Sequence, residues 1–261
     1  MKNSKNIAES LSGMALPAAV LAVFLLFWET AVILFRIEKW ILPKPTDIFI
    51  TLFEMRGTLG VHILQTLTEA LLGLLIAAAA GVAVAVLIDQ SKWIRSAVEP
   101  LLVLSQTIPI IALAPLLIIW FGFGMLPKVI VTALVCFFPI AINLADGFSQ
   151  ADRDMVKLMK TMGAGKRQLF LKLKLPASMP YFFSGLKIAG TYSVMGAVIG
   201  EWLGASKGLG VILTRSSQSF LTEKVFAVII VIVALSLLIF AAIELLARLA
   251  MPWKYKAHKQ N

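Results

Sequence analysis

Few residues in this chain have the types and spacing that chemistry requires. The nearest approach to a nucleotide site is Gly163-Ala164-Gly165-Lys166. A loop that cradles phosphate with backbone N–H groups needs a glycine, four residues, then Gly-Lys followed by Ser or Thr. Lys160 stands where the first glycine belongs, and Arg167 stands where the hydroxyl belongs. The segment also leads into a short polar helix without a buried strand before it, so the chain is not expected to hydrolyse ATP or to hold a cofactor. His62 and His258 have no Cys, His or carboxylate at ligand spacing, so no metal site is expected. Cys136, the single cysteine, lies in an apolar run and reads as a small buried hydrophobe. Glu29, Glu69, Glu201 and Glu244 sit in or beside apolar runs. Carboxylates inside a membrane are functional candidates by default, here for ion coupling; for Glu29 and Glu201 the plainer reading is a side chain that reaches the interface. No cluster of His, Cys, Ser or paired carboxylates supports a membrane enzyme.

The elements that must position these residues are membrane helices. Hydrophobic residues make up 59% of the 261 and charged residues 15%, where a soluble domain carries about a quarter of its residues charged. The charge-free runs 70–88, 101–126, 129–145 and 225–243 suit a hydrocarbon core of roughly 30 Å crossed as helix. A further run, 15–35, is interrupted only by Glu29, and 186–204 is bracketed by Lys187 and Glu201. The expected fold is an all-α membrane protein with six spans near 15–35, 67–88, 99–121, 128–146, 185–204 and 225–246. Segment 1–14, loop 147–184 and tail 251–261 lie outside them. The first run continues too far, without a small-residue cleavage site, to read as a signal peptide. Continuous apolar runs also exclude a β-barrel, whose strands alternate.

Six spans put both termini on one side. With the N-terminus inside, the inner segments hold Lys2, Lys5, Lys92, Arg95, Arg153, Lys157, Lys160, Lys166, Arg167, Lys172, Lys174, Lys187, Arg248, Lys254, Lys256 and Lys259. The outer ones hold Arg36, Lys39, Lys44, Arg56, Lys128, Lys207, Arg215 and Lys224. This two-to-one bias is that of Lys and Arg retained in the cytoplasm, so a plasma-membrane protein with cytoplasmic termini and a cytoplasmic 147–174 island is expected. Topology and anionic lipid account for the net charge of +10 without nucleic acid.

Breaks in the helical pattern carry the next information. Pro43 and Pro45 stiffen a turn before a short outer helix beginning near Thr46. Pro109 and Pro115 interrupt the third span, which fits either a broken transporter helix or a kinked packing helix. Phe121-Gly122-Phe123-Gly124 closes that span with a flexible turn. Gly196, Gly200 and Gly204, spaced four apart, would share one face of the fifth span for close packing or a pore lining.

The island GFSQADRDMVKLMKTMGAGKRQLFLKLK runs from Gly147 to Lys174 into Leu175-Pro176. Met155, Leu158, Met159 and Met162 fall at i, i+3, i+4 and i+7, an apolar helical stripe. Gly163 stands where a left-handed residue ends a helix, and Gly165 allows a second change of direction. A further helix over 166–173 would show Leu169, Phe170 and Leu173 on one side, with Pro176 ending it. Such a stripe suits either docking on a moving partner or lying on lipid headgroups.

These residues resemble the permease subunits of bacterial ATP-binding-cassette importers. The family signature has Glu-Ala-Ala, three residues, Gly, nine residues, an aliphatic, one residue and Leu-Pro. The chain matches from Gly163 and Ala164 through Leu173 to Leu175-Pro176, but has Lys157-Leu158-Met159 in place of Glu-Ala-Ala. The runs Leu42-Pro43-Lys44-Pro45, Ile108-Pro109 through Ala114-Pro115 to Gly124, and Phe138-Pro139 are similar to the nitrate, bicarbonate, taurine, alkanesulfonate and pyrimidine branch. Gly200-Glu201-Trp202-Leu203-Gly204 with Gly208-Leu209-Gly210 is similar to permeases assigned to formylaminopyrimidine or hydroxymethylpyrimidine, thiamine precursors. The resemblance implies a homodimer, two cytoplasmic ATPase subunits that hydrolyse the ATP, and an extracytoplasmic solute-binding protein. It makes Met155, Leu158, Met159, Met162, Gly163, Ala164, Leu173, Leu175 and Pro176 the coupling segment, and the solute a thiamine-precursor pyrimidine or else taurine, alkanesulfonate or nitrate. Pro109, Pro115, Gly196, Gly200 and Glu201 remain candidates for the translocation path or for helix packing. An ion-coupled secondary carrier that uses Glu29 or Glu69 is the reading from a different class.

Overall fold

Eleven α-helices, and no strand among the described residues, make up the computed structural model of the protein. It describes residues 2–202 and 204–253, with side chains from residue 15 onward apart from Lys92. Leu203 and the tail residues Lys254, Lys256, His258 and Lys259 lie outside the described residues. The chain forms two compact units, Met1–Leu59 with Ile212–Ile230, and Gly60–Val211 with Val231–Asn261.

In the first unit, α1 (Lys2–Leu34) leads through a turn to α2 (Pro45–Glu54). Pro45 opens α2, where its fixed φ and missing N–H cost nothing. The helix starts where the prolines place it. Glu29 of α1 accepts from the amide of Thr46 at 3.1 Å and from its hydroxyl at 2.8 Å. A carboxylate there satisfies an amide that the helix itself leaves unpaired and favours the positive end of the helix dipole. Glu29 is therefore a helix cap. Trp28 meets Phe226 edge-on at 5.5 Å, and the Thr222 hydroxyl donates to the Trp40 carbonyl at 2.6 Å.

The second unit is organised by α6 (Met125–Ser149) and α9 (Leu175–Glu201), which pack along most of their lengths. Glycine sets how closely they approach. A methyl group added at Gly185 would lie 2.5 Å from the Pro139 carbonyl oxygen, and one at Gly196 or Gly200 would lie 3.0 Å from the Cα of Thr132 or Lys128. From the other side, Gly147 of α6 faces Tyr181. Helix α3 (Arg56–Gln90) uses the same device, with Gly73 against Thr132 and Gly81 against Ile140. Without a hydrophobic force between helices in lipid, such small-residue contacts are what hold a bundle together. Gly204 does not continue this face as its spacing suggested. Helix α9 ends at Glu201, and Gly204 turns the chain with φ +107° against the ring of Phe123.

The apolar run expected as a third crossing is not one helix. Helices α4 (Lys92–Gln106) and α5 (Ile110–Phe121) meet at a bend of 95° over Thr107–Pro109. Pro109 lacks the N–H that would continue the ladder and pushes Ile108 out of helical geometry. The Thr107 hydroxyl donates to the Leu104 carbonyl at 2.7 Å and the Ile108 amide reaches Ser105 at 3.4 Å, which helps to satisfy the broken end. Pro115, by contrast, lies inside α5, whose Ala114 and Leu117 pack on Val131. Among the described residues, five helices are long and apolar enough to cross a membrane, six if the bent pair counts as one crossing.

The second island helix also departs from expectation. Helix α8 (Lys166–Leu169) passes through a widened turn, Phe170–Lys174, directly into α9, so Pro176 begins a helix where it was expected to end one. In the widened turn the Leu175 amide reaches back five residues to the Phe170 carbonyl. That spacing accommodates a proline at the second position of α9 without a lost bond.

Gly185→Val is expected to lower the thermal unfolding midpoint of the detergent-solubilised protein by at least about 5 °C, because backbone cannot move aside as a side chain can. A midpoint unchanged within about 1 °C would show that α6 and α9 are not in backbone contact there.

Candidate functional site

Outside the apolar spans, α7 (Arg153–Thr161) presents the stripe read from the sequence. Asp152 caps it, accepting from the amides of Asp154 at 2.8 Å and Met155 at 3.4 Å. Its other end closes on Gly163, at φ +82°. The Gly163 amide donates to Lys160 and the Ala164 amide to Met159, at 3.0 and 2.9 Å, the paired bonds of a glycine-terminated helix. Gly165, with φ −73°, is in extended backbone open to any residue, so its expected special turn is not used. Between these stops Met155, Leu158 and Met162 stand 46%, 53% and 78% exposed, with Met159 half-buried. A rigid short helix thus carries bare apolar side chains.

The base of this segment is anchored in the bundle. Phe170 meets Phe148 at 5.3 Å, and both join a core of Ala85, Ile88, Leu102 and Leu144 against which Leu175 also packs. Lys174 holds both oxygens of Asp89, at 2.6 and 2.9 Å. Leu173 is partly buried while Pro176 is exposed. Force applied to α7 therefore meets a fixed foot on α3, α6 and α9.

At the far end of α9 lies a buried polar cluster. Glu69 is fully buried and takes the Lys128 ammonium at 2.5 Å and the Gln65 amide at 2.6 Å on one oxygen. Its second oxygen has no hydrogen-bond partner among the described residues. Glu201, 1% exposed, accepts from the Thr66 hydroxyl and from the Gly210 amide, each at 2.6 Å. The Leu209 amide donates to Thr66 at 2.9 Å, and the Gly208 amide to His62 Nδ1 at 3.0 Å. Three side chains, His62, Thr66 and Glu201, thus satisfy the amides of Gly208, Leu209 and Gly210 where α10 (Leu209–Gln218) opens, groups a helix cannot pair for itself. This arrangement explains Gly208-Leu209-Gly210. Gly208, at φ +131°, lies against the Glu201 carboxyl group where a methyl could not fit, and a methyl at Gly210 would meet the Val198 carbonyl at 2.5 Å. Glu201 does not reach an interface as expected; it is enclosed.

Sequence reasoning missed these pairings, along with Lys187 on Glu244 at 2.6 Å. The available signal was that a carboxylate in lipid needs a named partner, and Lys128 and Lys187 were the cations lying in apolar helices.

The comparisons with known proteins agree with this architecture. Residues 73–251 match the family described as "Binding-protein-dependent transport system inner membrane component". The chain belongs to that family. It is 39% identical to the formylaminopyrimidine transport permease protein ThiX of Halalkalibacterium halodurans, over 92% of this chain and 96% of that one. It is 30% identical to the riboflavin transport system permease protein RibX of Chloroflexus aurantiacus, over 92% and 90%. Taurine transport system permease protein TauC of Escherichia coli is 28% identical over 92% and 90%. Among solved structures, the inward-facing MetNI methionine ABC transporter has a TM-score of 0.65 at 21% identity, covering 75% of this chain and 97% of that one. Its fold is shared.

The chain is thus the multi-pass inner-membrane permease of an ATP-binding-cassette importer, a class that works with a binding protein and an ATPase. In lipid, the polar groups inside the bundle must be matched within the bundle. Glu69→Gln, which leaves Lys128 buried without its countercharge, is expected to cost about 3–5 kcal/mol of stability. Adding Lys128→Met should restore most of it in thermal unfolding; losses that simply add would show the two residues to be uncoupled.

Proposed function

We propose that this permease imports a small pyrimidine of the formylaminopyrimidine type, delivered by an extracytoplasmic binding protein. The observation that supports the solute class is the 39% identity to a formylaminopyrimidine permease across nearly the full length of both chains. The decisive test is the ligand preference of the binding protein encoded beside this chain. Formylaminopyrimidine is expected to raise that protein's unfolding midpoint by several degrees, with taurine and alkanesulfonates giving no shift. A shift with the sulfonates alone would assign the solute to the sulfonate relatives, to one of which the chain is 30% identical.

The working unit is a homodimer of this chain with two ATPase subunits, which hydrolyse the ATP; this chain is not itself an enzyme. The two-to-one Lys and Arg bias supports both termini and α7 on the cytoplasmic side. Met155, Leu158, Met159 and Met162 dock on the ATPase, and Gly163 and Ala164 hold that helix at a fixed angle. ATP binding closes the ATPase pair, brings the two α7 helices together and opens the permease outward; hydrolysis reverses the motion. The energy enters as a difference in ATPase affinity between the two permease conformations. What supports docking over lying on lipid is that the stripe is capped at both ends as a self-standing helix.

Leu158→Glu is expected to release the ATPase subunits during affinity purification while the permease itself remains inserted and monodisperse. Retention of ATPase in unchanged ratio would place α7 on the bilayer instead.

A further inference from the structure

Where α7 joins the bundle, a cavity of about 290 Å³ opens between the ends of α3 and α6 and the starts of α4 and α7. Ile88, Phe148, Ala151 and Val156 form its apolar wall. Its polar wall is unbalanced. Arg95, Arg153 and Lys174 line it against a single carboxylate, Asp89. Asp89 spends both oxygens on Lys174, and Ser149 accepts from Arg95 at 2.6 Å while donating to the Ala145 carbonyl. Glu99, outside the lining, stands 3.3 Å from Arg95 Nε. Arg153 has no ion-pair partner among the described residues. The cations therefore bring more N–H donors to this space than its walls bring acceptors. Arg95 and Lys174 are partly buried and Arg153 stands exposed at the rim, and guanidinium and ammonium groups so placed favour a bound anion with several oxygens.

The cavity's depth in the membrane narrows the kind of anion. It lies where α3 and α6 end, and Trp93, two residues from Arg95 on α4, is 88% exposed. Tryptophan and arginine together mark the headgroup level of a bilayer. The space exceeds several water molecules at about 30 Å³ each, enough for a phosphate group.

We propose that this cavity is a phosphate-binding site at the foot of α7, taking the phosphate of an anionic phospholipid headgroup or free phosphate. Arg153 at the start of α7, Arg95 on α4 and Lys174 ahead of α9 converge on its oxygens. An occupant ties the partner-facing helix to the bundle, which makes the geometry of α7 depend on the lipid around the protein.

The detergent-purified permease, titrated with phosphatidylglycerol, phosphatidylcholine or inorganic phosphate, tests this by thermal unfolding. Phosphatidylglycerol should raise the midpoint at lower concentration than phosphatidylcholine. Arg153→Gln should weaken that response about tenfold, the loss of one charged hydrogen-bond donor. Arg153 is exposed and caps nothing, so the fold should survive; Arg95→Gln provides a second reading. Lys160→Gln, an exposed change on α7 away from the cavity, should leave the response as it was. A response to inorganic phosphate that also depends on Arg153 would identify the free ion as the source. Equal responses from wild type and Arg153→Gln, or no response to either phosphate source, would overturn the assignment.

Discussion

Backbone-to-backbone contact between α6 and α9 is the constraint on which the second unit depends. Lipid tails are as apolar as leucine, so helices there gain little by hiding greasy side chains from each other. They gain by close van der Waals contact, and that needs positions without a side chain. Gly185, Gly196 and Gly200 supply them along α9, and Gly147 answers from α6. Because α3 is brought onto α6 in the same way, Glu69 reaches Lys128 and Thr66 reaches Glu201. The polar contacts are a product of the close approach, and they then lock its register.

The buried ionic groups follow one rule. Each carboxylate that the helices enclose is given donors from a different element: Lys128 for Glu69, Lys187 for Glu244, Lys174 for Asp89, and backbone amides of α10 for Glu201. An unpaired charge would be far more costly than the pair. Four links between helices result, spread from one end of α9 to the other, each directional where glycine packing is not.

Much of this was legible in the residues. The apolar runs marked membrane helices, Pro43 and Pro45 placed the start of α2, and the stripe ending at Gly163 marked α7, because each signal is local in the chain. The family followed from the spacing between Gly163 and Leu175-Pro176. What stayed hidden depends on distant residues. Nothing near Glu29 in sequence says that it caps a helix seventeen residues away. Periodicity placed Gly204 on a helix face, but α9 stops three residues earlier, where Glu201 turns to hold α10. Pro176 reads as a stop signal, and only the widened turn before it lets the helix through. Pro109, after the polar Ser105-Gln106-Thr107, marked a break or a kink in the third run, but nothing local in the chain sets its 95° angle.

That widened turn has a mechanical consequence. Because it joins α8 to α9 without a gap, residues Lys166–Glu201 form one continuous 36-residue strut. At 1.5 Å per residue it is about 54 Å long, so a tilt of about 5° at its foot sweeps its tip through roughly 5 Å. The tip is Glu201, fastened to the first turn of α10. Carried whole along this length, a small rotation beside α7 would become a displacement of several ångströms at Glu201.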